Sequence, residues 1–148
     1  MSIDPRARFT LPIEVRQADI DVLGHVNNVI YVGWIQDVAI AHWRVLATPE
    51  QQAECAWVVV RHEIDYQRPA RLGDALVAET WVGPAAGQQF ERHTEILRAG
   101  DRKVIARART LWCPIDPVTG RPKHVSPELR ARFSVMPEHG RRGAGTGE

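Results

Sequence analysis

Cysteine is scarce in this chain: Cys55 and Cys113 are the only two among 148 residues. Their separation fits no metal-ligand spacing and each stands beside apolar residues, so buried, reduced thiols are expected rather than a disulfide framework. A charge of one sign is missing too. Lysine and arginine (19) nearly balance aspartate and glutamate (18), for a formal net charge of +1. That leaves no basic field for nucleic acid and no acidic tract of the disordered kind. Zinc-finger and RNP-like patterns, phosphate loops and dinucleotide fingerprints are all lacking. The opening "MSIDPRARF" has no apolar core of a signal peptide, and no segment approaches the roughly 18 unbroken apolar residues of a membrane helix. The expectation is a cytoplasmic protein with neither nucleic acid nor membrane as partner.

What is present describes an ordinary globular chain, 44% hydrophobic and 25% charged, long enough for one domain with a real core. "RFTLPIEVRQ" alternates, with Phe9, Leu11, Ile13 and Val15 on one side, which is strand periodicity. In "VIYVGWIQDVAIAHWRVLA" the apolar residues Ile30, Trp34, Val38, Ala41 and Val45 recur at helical steps, with Val29, Val32, Ile35 and Ala39 beside them. The pattern predicts a largely enclosed helix of about 20 residues, near 30 Å long, ending at Thr48 and Pro49. Strand-like runs follow: "AWVVVRHEIDY", "ALVAETWV", "QQFERHTEILR" and "KVIARARTLWCPI", separated by the bend "QRPARLGD" and the turns "GPAAG" and "AGDR". "SPELRARF" opens on a good helix cap, Ser126, with a proline behind it. One strand, one long helix and a series of antiparallel strands make a single α+β domain, expected over residues 1–136, with a disordered tail at 137–148.

The stretch "ADIDVLGHVNNVIYVGW" is overloaded. Asp, Gly and Asn form turns, and Asn27 or Asn28 could simply cap the helix. One cap does not need Asp19, Asp21, His25, Asn27 and Asn28 together, and buried polar groups are costly unless paired. A helix start offers unpaired N–H groups and the positive end of a dipole, suited to a developing oxyanion. Asp21 stands a few residues before it, placed to act as nucleophile or as base for water, and Gly24 would permit close approach.

"VRQADIDVLGHVNNVIYVGW" resembles the signature of hotdog-fold acyl thioesterases, in particular the 4-hydroxybenzoyl-CoA thioesterase-like branch, with a similar segment in plant acyl-ACP thioesterases. "IDYQRPARLGDALVAETWV" and "RARTLWCPIDPVTGRPKHVSPELRARF" resemble the body of that family, so the likeness runs from about Arg8 to Phe133. It implies a hotdog fold: an antiparallel sheet of five or six strands wrapped around one long central helix. It also implies hydrolysis of an acyl-CoA to a carboxylic acid and free CoA, with no cofactor apart from the CoA of the substrate, in a homodimer or homotetramer. The family's catalytic aspartate falls on Asp21. Its carbonyl-polarising N–H falls near Asn27 and Asn28, its histidine on His25, and a frequent aromatic on Tyr31. Gly24 stands where the plant enzymes have asparagine, which favours an Asp21-centred reaction over one with His25 as the main base.

On this reading Asp21, His25 and Asn28 are catalytic, and Gly24, Val26, Asn27, Tyr31 and Arg68 bind substrate. Arg68 and its neighbour Arg71 are candidates for the CoA phosphates. His42 and Trp43 read as packing, and Trp34 and Trp57 as core or as lining for an acyl chain. Glu63 or Asp65 would reach a partner subunit's cleft if the site lies between protomers, as the resemblance implies, or else belong to a solvated strand face. The rival readings are another acyl-thioester reaction, such as hydration or dehydration, and a non-catalytic acyl-CoA binder.

Overall fold

Alternation in the first strand and helical spacing in the next segment account for the first two large elements. In the structure, a computed structural model that describes residues 7–133, β1 spans Phe9–Glu14 and α1 spans Asn28–Leu46, with a single 3-10 turn at Gln17–Asp19 between them. The short α2 (Pro49–Glu54) leads into β2 (Ala56–Tyr66), β3 (Ala75–Ala86), β4 (Gln89–Arg98) and β5 (Val104–Ile115), and α3 (Pro127–Phe133) follows. The strands form one antiparallel sheet in the order β1-β3-β4-β5-β2. The segment 137–148 expected to be disordered lies outside the described residues.

The core forms where α1 crosses the sheet. Tyr31 and Val38 of α1 pack with Leu76, Ala78, Ile96, Ile105 and Ala106 of β3, β4 and β5. A second cluster at the other end of α1 joins Leu46 and Ala47 to Val82, Phe90 and Leu129. The buried arc of α1 is Tyr31, Ile35, Val38, Ala39, His42 and Leu46. It is rotated from the stripe drawn through Ile30, Trp34 and Val45, and Val29 and Val45 remain 68% and 59% exposed. Hydropathy puts tyrosine and histidine outside. Here both go inside because the interior supplies partners for their polar atoms, and burial then costs little. The helix is therefore open along one face in the single chain.

Two further differences are local. Thr48 ends α1 and also starts α2, where its hydroxyl accepts from the Gln51 N–H at 3.1 Å while Gln51 Oε1 accepts from the Thr48 N–H at 2.9 Å. This capping box turns an expected helix stop into a helix restart. The segment "GPAAG", expected to be a turn, lies mostly within β3. A register shift between Val82 and Ala85 takes up Gly83 and Pro84, because proline cannot donate to the ladder and is tolerated at a bulge.

The outer face of the sheet carries crossed ion pairs. Glu79 receives Arg102 at 2.6 Å and Arg8 at 3.3 Å, and Glu95 receives Arg107 at 2.9 Å. Burial by itself would raise the Glu79 carboxyl, but the two guanidiniums outweigh it and hold the group below the usual glutamate range. Its contribution to stability is present above the ordinary glutamate pKa and is lost as pH falls through the lowered one.

Candidate active site

Between β1 and α1 the chain makes a small closed loop, pinned by a bridge between Ile20 and Val26. The Asp21 N–H donates to the His25 carbonyl at 2.8 Å, and the Gly24 N–H donates to the Asp21 carbonyl at 3.0 Å. Asp21 Oδ1 accepts from the Leu23 N–H at 2.9 Å and the His25 N–H at 3.2 Å. One carboxylate oxygen therefore staples the loop, while Oδ2 has no partner among the described residues. Gly24 sits at φ +81° with open space around it, so what the position demands of glycine is conformation rather than close approach.

The same loop determines which donors the helix start can offer. The Val26 N–H goes to the Ala70 carbonyl and the Asn27 N–H to the Asp19 carbonyl, both at 2.8 Å. Asn27 is the N-cap, and its Oδ1 accepts from the Val29 N–H at 3.1 Å. The Ile30 N–H returns to the Asn27 carbonyl at 2.9 Å. That leaves the Asn28 N–H, first in the helix, with no acceptor among the described residues. Such an orphan at the positive end of a 19-residue helix is suited to a negative oxygen.

His25 is half-buried, and its Nε2 lies 3.4 Å from Arg71 Nη2. Its bond with Asp21 runs through its backbone, not its ring. Tyr31 lies beneath the helix start at 2% exposure, edge-on to Trp34 and Tyr66. Burial raises its hydroxyl above the usual phenol value, although a hydrogen bond with the Ala70 backbone opposes this. Val26 is also core. The Arg68 guanidinium donates through Nη1 to the Val104 carbonyl at 2.7 Å and so is tied to the start of β5.

Two contacts at this junction escape sequence reasoning. Tyr66, the last residue of β2, donates its hydroxyl to the Asn28 carbonyl at 3.1 Å, and Arg71 reaches His25 from the bend before β3. Both are more than 35 positions from their partners, and only the closing of the sheet brings them there. Alongside the first turns of α1 runs an open groove of about 500 Å³, lined by Leu11, Ile13, Val29, Ile30, Gly33 and Trp34 with Arg16, Asp19 and Asp37 among its polar residues.

Residues 15–133 match the model of the thioesterase-like superfamily. The long-chain acyl-CoA thioesterase FadM of Escherichia coli is 29% identical over 129 residues, covering 84% of this chain and 96% of that protein. Oleoyl-acyl carrier protein thioesterase 1 of Arabidopsis thaliana chloroplasts is 26% identical over 118 residues, covering 74% of this chain. The chain spans 31% of that protein's length and 21% of another plant acyl-carrier-protein hydrolase. Among solved structures, YbaW of Escherichia coli, described as a probable thioesterase, superposes with a TM-score of 0.72 at 28% identity, covering 83% of this chain and 94% of that one.

Proposed function

Because the chain belongs to the thioesterase-like superfamily and has the hotdog architecture of its relatives, we propose that it is an acyl-CoA thioesterase. Water adds its oxygen to the thioester carbonyl, the C–S bond breaks, and CoA leaves as a thiol once protonated. The observation that carries this reading is the Asn28 N–H, left without an acceptor beside the carboxylate-bearing loop. Its role is to hold the carbonyl oxygen as it becomes negative, a kind of contact commonly worth about 10²–10³ in rate. Asp21 supplies the opposing oxygen, as base for the water or as the nucleophile itself. His25 and Arg71 shape the loop, and Arg68 and Arg71 lie on the bend where the CoA phosphates would pass. A thiol-release assay across short, medium, long and aromatic acyl-CoAs tests the assignment. Release from at least one class is expected. Binding without release would make the protein a carrier, and consumption of an enoyl thioester without release would make it a hydratase.

The groove between β1 and α1 is the natural place for the acyl group. It begins at the first turn of the helix and has an apolar floor. Gly33 has nothing within 4 Å of where a Cβ would stand, so its missing side chain leaves the groove open. Gly33→Ala should stabilise the fold by about 0.5–1 kcal/mol through helix propensity. Gly33→Leu should instead raise KM for long acyl-CoAs at least tenfold while sparing the shortest substrates. Equal effects at all chain lengths would place the acyl group elsewhere.

The working unit in this proposal is a homodimer. β2 is an edge strand of 11 residues, with Val58 and Val60 at 40% and 51% exposure. An open, apolar edge of this length is a template for pairing. Its end is anchored at the helix start by Tyr66, so a partner paired along β2 would close the catalytic junction. Light scattering should give twice the chain mass of 16.7 kDa, and Val60→Asp should reduce it to the monomer. A wild-type monomer at tens of micromolar would overturn the dimer.

A further inference from the structure

The second cavity of the molecule lies at the opposite end of α1 from Asn28, about 20 Å away by the helical rise from Ile30 to Trp43. It holds about 360 Å³ and is lined by Trp43, Trp57, Phe90 and Trp112, with Ile40 and Leu129 also in its wall. That is the low end of the size range for small-molecule sites. Two of its rings meet others edge to face, Trp43 on Trp57 at 5.6 Å and Trp57 on Phe90 at 5.0 Å. The Cys55 thiol on its wall is inert, pushed up to about 11 by burial and then by Glu54.

In this apolar wall sits Arg92, at 8% exposure. A guanidinium has five N–H donors. Its bonds among the described residues leave from Nη1, to His42 Nδ1 and to Thr80 Oγ1, each at 3.0 Å. A guanidinium can only donate, so His42 Nδ1 accepts in this contact. Neither partner is a carboxylate, and the Nε–Nη2 edge of the fork has no acceptor among the described residues. Burial lowers the group only to about 10, so it remains a cation at neutral pH. The indole Nε1 atoms of Trp57 and Trp112 are also buried with no acceptor among the described residues. The other charged lining residues do not neutralise the site: Glu91 is engaged by Arg109 at 3.0 Å and by His93, and Arg44 adds a second positive group at the rim.

A cavity with aromatic walls, two buried indole donors without an acceptor and a guanidinium edge likewise without one is complementary to an apolar anion. Buried cations are expected to be paired, and the planar fork of arginine matches a carboxylate at two points. We propose that this cavity is a second ligand site, which takes a small carboxylate of one or two rings, with the carboxylate on the free edge of Arg92 and the ring among Trp43, Trp57 and Phe90. The site is separate from the thioester junction and does not depend on the activity assigned to it.

Tryptophan fluorescence of the full-length protein, titrated with 1-naphthoate, reads the site directly because three of the five tryptophans line it. The acid should bind at least tenfold more tightly than the isosteric 1-naphthamide, and acetate should not compete. Arg92→Met should abolish that preference, bringing the acid down to the level of the amide. If Arg92→Met does not fold, Trp112→Phe keeps the ring and removes one donor, and it should weaken the acid at least threefold. Equal affinity for acid and amide in the wild type would overturn the proposal, as would saturable acid binding that survives Arg92→Met unchanged.

Discussion

Asp21→Asn is expected to lower kcat on a good acyl-CoA substrate by about 10²–10⁴-fold, the usual contribution of a positioned base or more, with little change in KM. The substitution is informative because of what Asp21 already does for its own loop. Its Oδ1 accepts the Leu23 and His25 N–H groups, and the amide oxygen of asparagine can accept both. The loop and the helix start behind it should therefore survive, and only the negative charge is lost. Asp21→Ala removes the staple as well, and should lower the melting temperature as well as the rate. Thiol release and thermal unfolding measured on the two variants separate the roles. Asparagine at near-normal turnover would remove Asp21 from the chemistry and leave it a loop-forming residue.

Thr80→Val should be the most damaging single change to the fold that keeps side-chain shape, at about 3 kcal/mol, since each stranded buried polar group costs about 1–3 kcal/mol. Thr80 is fully buried, and its hydroxyl is a hub. It donates to the His93 carbonyl at 2.8 Å and accepts from Arg92 at 3.0 Å and from Thr94 at 3.1 Å. Valine fills the same space and takes a partner from all three, although Arg92 keeps its bond to His42. Thr80→Ser keeps the hub and should cost only about 1 kcal/mol for the lost methyl. Urea denaturation gives both values, and an unchanged slope would assign the difference to the folded state. A valine variant within 0.5 kcal/mol of wild type, the usual limit for changes at indifferent sites, would show that the network carries no net stability.

These two residues differ in how far the sequence reveals them. The loop that carries Asp21 was legible because its signals are local. A carboxylate, a glycine and an asparagine within seven residues mark a loop and a helix start, although Ala70 and Tyr66 also hold them in the folded chain. The same holds for the strands, where alternation alone placed Phe9, Leu11 and Ile13 inward. Thr80 and Arg92 were not legible. A threonine in a strand is unremarkable, and an arginine at an alternating position reads as surface unless it is known that His42 waits opposite it on the helix.

The order of elements, the single long helix and the carboxylate-before-helix motif were determined by the sequence alone, because periodicity and capping act over a few residues. Four matters were decided only by the tertiary structure. One is the rotation of α1 that buries Tyr31 and His42. Another is the consumption of the Val26 and Asn27 N–H groups by Ala70 and Asp19, which leaves Asn28 as the open donor. The others are the arrival of Tyr66 and Arg71 at the junction and the cationic aromatic cavity at the far end of the helix. Each depends on groups tens of residues apart meeting in a low-dielectric interior. There the cost of an unpaired polar atom, which no local pattern encodes, selects which side chain turns inward.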